Sequence, residues 1–350
     1  MIKIKQWIID NHDLAFAILL AVCVYGYFAL STEYFATHRT GYAIMERFAV
    51  LGLVGLALTL CIIAGEIDLS IGSNAALSAV IAVRFTDSMG AVQASLIALA
   101  VATLIGVIQG YFIAYLRIRA IVLTVGTLML LRGIALFAAE EKTVMLTDFT
   151  VPDYIATKMF IYFSPASLVV IAVFIFVALF MNYTRFGREI YAIGGARKEA
   201  LASGISLKRP MVIVFAISGF CAGLGGVIIG MRSGTAQALG LQYLLLAGTV
   251  AAFIGGVSIM GGKGGVLGAA IGTLSVNFLN TGLVFNVTPA FMVQLYLGVL
   301  LMVVIMFQTG SRLFDDKQRR WQLLQDTDQR KRLFASQLAA LDALKKIQSG

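Results

Sequence analysis

The sequence predicts an all-α polytopic membrane protein with about ten transmembrane helices, and three observations predict it. Of its 350 residues, 59% are hydrophobic and 13% are charged, whereas a water-facing domain carries about a quarter charged residues. The mean hydropathy is +0.90. The apolar stretches are long and unbroken. Strands of a membrane barrel are short and strictly alternating, so helices are the element left to satisfy the backbone in lipid.

The spans follow in order. A helix needs about 20 residues to cross the hydrocarbon. Stretches that fit are 14–30, 46–64, 71–85, 91–116, 121–138, 165–182, 211–231, 241–260, 265–285 and 289–307. The first and third are short, and glycine interrupts several. Tyr25, Tyr27 and Phe28 occupy the end of the first stretch, where a signal peptide needs small residues; it reads as a retained span.

Orientation comes from Lys and Arg. With the N-terminus in the cytoplasm, 20 of the 27 basic residues fall in inside segments, and an even number of spans puts both termini there. The same bias accounts for the net charge of +9 without a nucleic-acid partner. The plan is then a transmembrane domain over 1–310 with an outside loop at 139–164, which the resemblance given below makes periplasmic, and a cytoplasmic loop at 184–210. A charged tail follows over 311–350. In that tail Trp321, Leu324, Phe334, Leu338, Leu341 and Leu344 recur at steps that suggest an amphipathic cytoplasmic helix.

Polar residues inside apolar sequence are the candidates for function. Glu66 and Asp68 sit in AGEIDLSIGSNAAL, between two spans, where Gly65 and Gly72 permit a broken helix. A plain wet turn at the cytoplasmic face is the competing reading. Arg132 lies about 16 Å into its span by helical rise, and a buried Arg calls for a carboxylate or a wet cavity; Glu66 and Asp68 are its candidate ion-pair partners. Asn277, Asn280 and Thr281 share one helix face. That face either lines a polar path or bonds a neighbouring helix, and Gln294 joins the set.

Other patterns point away from catalysis. Gly219, Gly223, Gly226, Gly230 and the glycines from Gly255 onward read as close-packing positions. Lys263 is not a Walker A lysine: Val257 stands where the motif needs its first Gly, and Gly264 where it needs Ser or Thr. Cys23, Cys61 and Cys221 have no paired spacing, and His12 and His38 are too far apart for a metal pair. No HExxH or GxSxG is present. The residues offer no catalytic constellation, so the chain does not read as an enzyme, and they offer no metal site.

Four segments together resemble one family: GEIDLSIGS (65–73), TLMLLRG (127–133), TRFGREIYAIGGARKEALASGI (184–205) and GGVSIMGGKGGVLGAAIGTL (255–274). It is the permease subunit of ABC importers of the ribose, xylose, arabinose, galactoside and autoinducer-2 type. The resemblance runs from about residue 40 to 307. It implies a sugar-type solute, a location in the bacterial inner membrane and several partners. These are a cytoplasmic ABC ATPase holding ATP and Mg, a periplasmic substrate-binding protein, and a second permease subunit, identical or not.

No cofactor is expected on this chain itself, and lipid surrounds it. The resemblance also assigns the 184–210 loop to ATPase coupling, through Gly187, Tyr191, Gly194, Gly195, Glu199, Ala200 and Gly204. Substrate would pass Asp68, Ser70, Ser73, Asn74, Asn277 and Asn280. The alternatives are a branched-chain amino-acid type ABC permease and an ion- or proton-coupled transporter with Glu66, Asp68 and Arg132 as its relay.

Overall fold

The structure, a computed structural model, describes residues 12–310. The tail helix expected over 311–350 lies outside the described residues. The chain divides into a unit ending at Leu301 and a second beginning at Met302. Within the described residues the second unit contributes only the end of the last helix.

Thirteen helices occur among the described residues. They are α1 (His12–Ser31), α2 (His38–Ile63), α3 (Ile71–Met89), α4 (Ala91–Tyr115), α5 (Ala120–Ala138), α6 (Thr150–Ile155), α7 (Pro165–Tyr183), α8 (Arg185–Gly195), α9 (Arg197–Ala202), α10 (Lys208–Ser233), α11 (Gln242–Ile254), α12 (Val266–Phe285) and α13 (Ala290–Gly310). A two-stranded antiparallel ribbon pairs β1 (Val144–Met145) with β2 (Thr235–Ala236).

Each predicted apolar stretch contains a helix. Eight of these helices are long and apolar enough to cross a membrane. The others are α11, with 13 residues, and α3, whose sequence includes Ser73, Asn74, Ser78, Arg84 and Asp87. The expected span over 241–260 is shorter than its apolar sequence. Its helix stops at Ile254, and Gly256, Gly261, Gly262 and Gly264 then all take positive φ, a backbone that only glycine adopts without cost. The GGKGG run is therefore a tight loop, not a helix-packing face.

The core is α2, buried over nearly its whole length, and α10, which packs against α2, α3 and α4. The α10 glycines act as the sequence predicts. A Cβ on Gly219 would lie 2.5 Å from the Ala102 carbonyl of α4, and one on Gly226 2.0 Å from the Ala75 carbonyl of α3. Missing side chains let these backbones touch.

The connections fall into two sets by what they touch. Residues 64–70, 184–207 and 255–265 meet one another through Glu66–Arg197, Gly262–Ile63 and Tyr191–Gly264. Residues 139–164 and 233–241 meet through the β-ribbon and the close approach of Gly234 to Phe149. To this second set belong Arg84–Glu140, and Glu46 held by Arg232 at 2.7 Å and by the Ser164 hydroxyl. These contacts gather the connections into two separate groups.

Candidate functional site

The segment between α2 and α3 is built by a helix stop. Gly65 at φ +79° ends α2: its N–H donates to Ile62 O at 2.9 Å, and the Glu66 N–H to Cys61 O at 3.0 Å. This pair of bonds is a Schellman termination, which favours glycine at the left-handed position. Residues 66–70 then have no regular secondary structure, with Asp68 and Ser70 buried among the helices, and α3 starts at the buried Ile71. The broken-helix expectation for this segment is met by an irregular five-residue break between α2 and α3.

Asp68 is the centre of this segment and is 2% exposed. Its Oδ1 accepts from the Ser70 N–H at 2.9 Å and the Ser70 hydroxyl at 2.7 Å, and its Oδ2 accepts from Ser218 of α10 at 2.8 Å. Gln109 of α4 donates to Ser70 Oγ at 2.8 Å, and Thr124 of α5 to Ile67 O at 3.4 Å. One turn on, Asn74 donates to Ala102 O of α4 at 3.2 Å. Asp68 and its neighbours thus cross-link three helices. A buried carboxylate is tolerated when donors surround it in this way.

Glu66 differs. Its Oε1 lies 2.8 Å from Arg197 Nη1, at the start of α9. The expected pairing with Arg132 is absent. Arg132 is half-buried on α5 and lies within ion-pair distance of neither Glu66 nor Asp68 among the described residues. The physical reason is level along the helix. α5 meets the segment at Thr124, and Arg132 lies eight residues, about 12 Å, further along the axis.

The 184–210 loop divides into an anchored half and a free half. Thr184 caps α8, accepting from the Gly187 N–H at 3.1 Å. Gly187, Ile190 and Ile193 are buried. The Tyr191 hydroxyl donates to Gly264 O at 3.0 Å, and burial raises its pKa above the usual phenol value. Gly194 is the tightest contact: a Cβ there would lie 1.7 Å from Ile63 O. From Gly195 through Gly204 the chain is exposed apart from Ala200. Gly187, Tyr191 and Gly194 therefore seat the loop on the bundle, while Gly195, Glu199 and Gly204 face outward around α9.

The other predicted polar residues form a second group. Asn277 and Thr281 of α12 are buried, and Asn277 Nδ2 and Thr281 Oγ1 have no hydrogen-bond partner among the described residues. Asn280 opens instead into a cavity of about 410 Å³ between α11, α12 and α13, together with Tyr243, Thr288 and Gln294. The structure bonds the 66–74 group to α4, α5, α9 and α10, and Asn277 and Asn280 are not among its partners. Ser73 is buried within α3.

Sequence reading overlooked Ser218, Gln109 and the pairing role of Arg197. A signal existed for Gln109, an amide deep in an apolar span. Ser218 carries none, since an isolated serine in an apolar helix is ordinary.

Residues 42–307 match the family described as branched-chain amino acid transport system / permease component. The chain belongs to this family. It is 32% identical over 280 residues to the D-allose transport system permease protein AlsC of Escherichia coli (strain K12), covering 78% of this chain and 84% of that one. It is 30% identical over 288 residues to the ribose import permease protein RbsC of the same strain, covering 80% and 87%. It is 27% identical over 324 residues to the autoinducer 2 import system permease protein LsrC of Photorhabdus luminescens, covering 91% and 95%. No solved structure matches it.

Proposed function

We propose that the chain is the membrane-spanning permease subunit of an ATP-driven importer for a monosaccharide or sugar-like polar solute. It would cross the bacterial inner membrane ten times with both termini in the cytoplasm. The observation that carries this reading is family membership together with similarity, over most of the chain, to permeases named for allose, ribose and autoinducer 2. The branched-chain amino-acid reading has the family description in its favour but none of these relatives' names.

The geometry suits a division of labour. The exposed α9 would dock on a separate ATPase that holds ATP and Mg. Its motion would reach the interior by two contacts, Glu66–Arg197 and Gly194 against Ile63 O. A binding protein would deliver solute at the opposite end, and a second permease copy would complete the path. Among the residues expected along the path, Asn280 is favoured, because it faces a cavity. Asp68, Ser70 and Asn74 direct their hydrogen bonds to neighbouring helices, which favours a role in holding the path's wall.

The test is uptake of labelled ribose, allose and leucine into proteoliposomes holding this chain with its ATPase and binding protein. Sugar accumulation that requires internal ATP supports the proposal. Accumulation driven by a proton gradient without the ATPase, or of leucine alone, overturns it.

A further inference from the structure

The four-residue turn between α4 and α5 and the start of α10 enclose a cavity of about 850 Å³ at the same end of the bundle as the 184–210 loop. Its polar rim is cationic. Arg117, Arg119, Arg197 and Lys208 line it, against one carboxylate, Glu66. That carboxylate is taken by Arg197. Arg117, Arg119 and Lys208 have no acidic partner among the described residues, and Lys208 Nζ sits 5.0 Å over the Tyr115 ring. Three positive charges thus share one concave surface without a counter-charge.

The remaining wall is apolar. Ile113, Ile121 and Val122 contribute to it. Ile121 and Val122 are exposed, and they continue into the exposed apolar faces of α4 and α5 at Ile108, Tyr111, Val125 and Met129. Exposed apolar faces on helices long enough to cross a membrane suit contact with lipid tails. A free cytoplasmic anion has no use for an apolar wall, and a wholly solvated basic loop would not form a cavity. A phosphodiester headgroup with attached acyl chains fits both parts, and basic pockets between transmembrane helices favour such headgroups.

We infer that the cavity between the α4–α5 turn and the start of α10 holds the headgroup of an anionic phospholipid, bound by Arg117, Arg119 and Lys208. The lipid would lie against α9, beside the loop assigned to ATPase docking, so anionic lipid would brace that loop. The inference depends on the membrane location of the chain and not on its solute.

The experiment is native mass spectrometry of the delipidated full chain in neutral detergent, titrated with phosphatidylglycerol or phosphatidylcholine. Wild type retains phosphatidylglycerol, and the variant R117Q/R119Q/K208Q binds it about a hundredfold more weakly. Phosphatidylcholine retention is the same in both, and inorganic phosphate does not displace the bound lipid. The charge-keeping variant R117K/R119K/K208R retains it.

If the glutamine triple does not fold, exposed Lys208→Gln alone carries the test, with about a fivefold loss. Equal retention by wild type and variant overturns the inference, as does equal retention of the two lipids. Displacement by inorganic phosphate would show a free-anion site instead.

Discussion

Glu66 and Arg197 are 131 residues apart in sequence and meet at 2.8 Å. The contact ties the 66–70 segment, whose Asp68 is bonded to Ser218 of α10, to the only exposed helix of the 184–210 loop, α9, among the described residues. Glu66 is therefore a direct side-chain link between α9 and that segment. The pair is partly exposed, so its worth in stability is small, about 0.2–1 kcal/mol. Its expected importance is mechanical.

Glu66→Gln and Arg197→Gln should each leave the thermal midpoint within a few degrees of wild type and uncouple solute-stimulated ATP hydrolysis from uptake. The charge swap E66R/R197E should restore part of the coupling. A double-mutant cycle on uptake rate measures this, and strictly additive single effects would exclude the linkage.

Asp68→Asn should act on folding. The amide nitrogen cannot accept from Ser70 or Ser218, and it leaves at least one buried donor unpaired at about 1–3 kcal/mol. The thermal midpoint of the purified chain should fall, and Ser218→Ala should fall less. Asn280→Ala, at the α11–α13 cavity, should leave the midpoint in place and change the uptake constant. An unchanged midpoint in Asp68→Asn would return Asp68 to the list of solute contacts.

Gly194→Ala should displace α8, because the new methyl group would overlap the Ile63 carbonyl, a backbone atom that cannot turn away. The expected cost is about 1–3 kcal/mol, with protease cleavage appearing in the 184–210 loop. Gly133→Ala, on a helix with open space around it, should be neutral or slightly stabilising. Similar behaviour of the two would contradict the packing of α8.

Glu140 is exposed, and the Arg84 guanidinium at 2.7 Å holds its carboxyl below the ordinary 4.5. A depressed folded-state pKa gives a stabilising contribution that is present above the unfolded value. It fades as pH falls through the folded one. Arg84→Gln should therefore lower the thermal midpoint slightly at pH 6, and the difference should shrink as pH falls below the ordinary carboxylate value. A difference that grows toward acid would have the wrong sign and would remove the pairing.

Much of the architecture was legible in the residues. Composition pointed to a membrane class, and run length located the helices. Motif order along the chain pointed to the family. Local glycine patterns were ambiguous, since the same residue serves helix packing at Gly226 and a left-handed loop at Gly261. Periodicity does not distinguish the two.

The sequence by itself determined the membrane class and identified residues 64–77 and 184–210 as the segments of interest. Partner choice was decided only by tertiary structure. Arg132, Arg197 and Ser218 are all eligible by chemistry to meet Glu66 or Asp68. A side-chain contact depends on the level at which distant helices cross, which no local pattern encodes. The Schellman turn at Gly65 ends α2 and lets the chain turn inward, where Asp68 meets Ser218 of α10, while Arg132 lies about 12 Å further along α5 than Thr124, the residue of that helix that meets the segment.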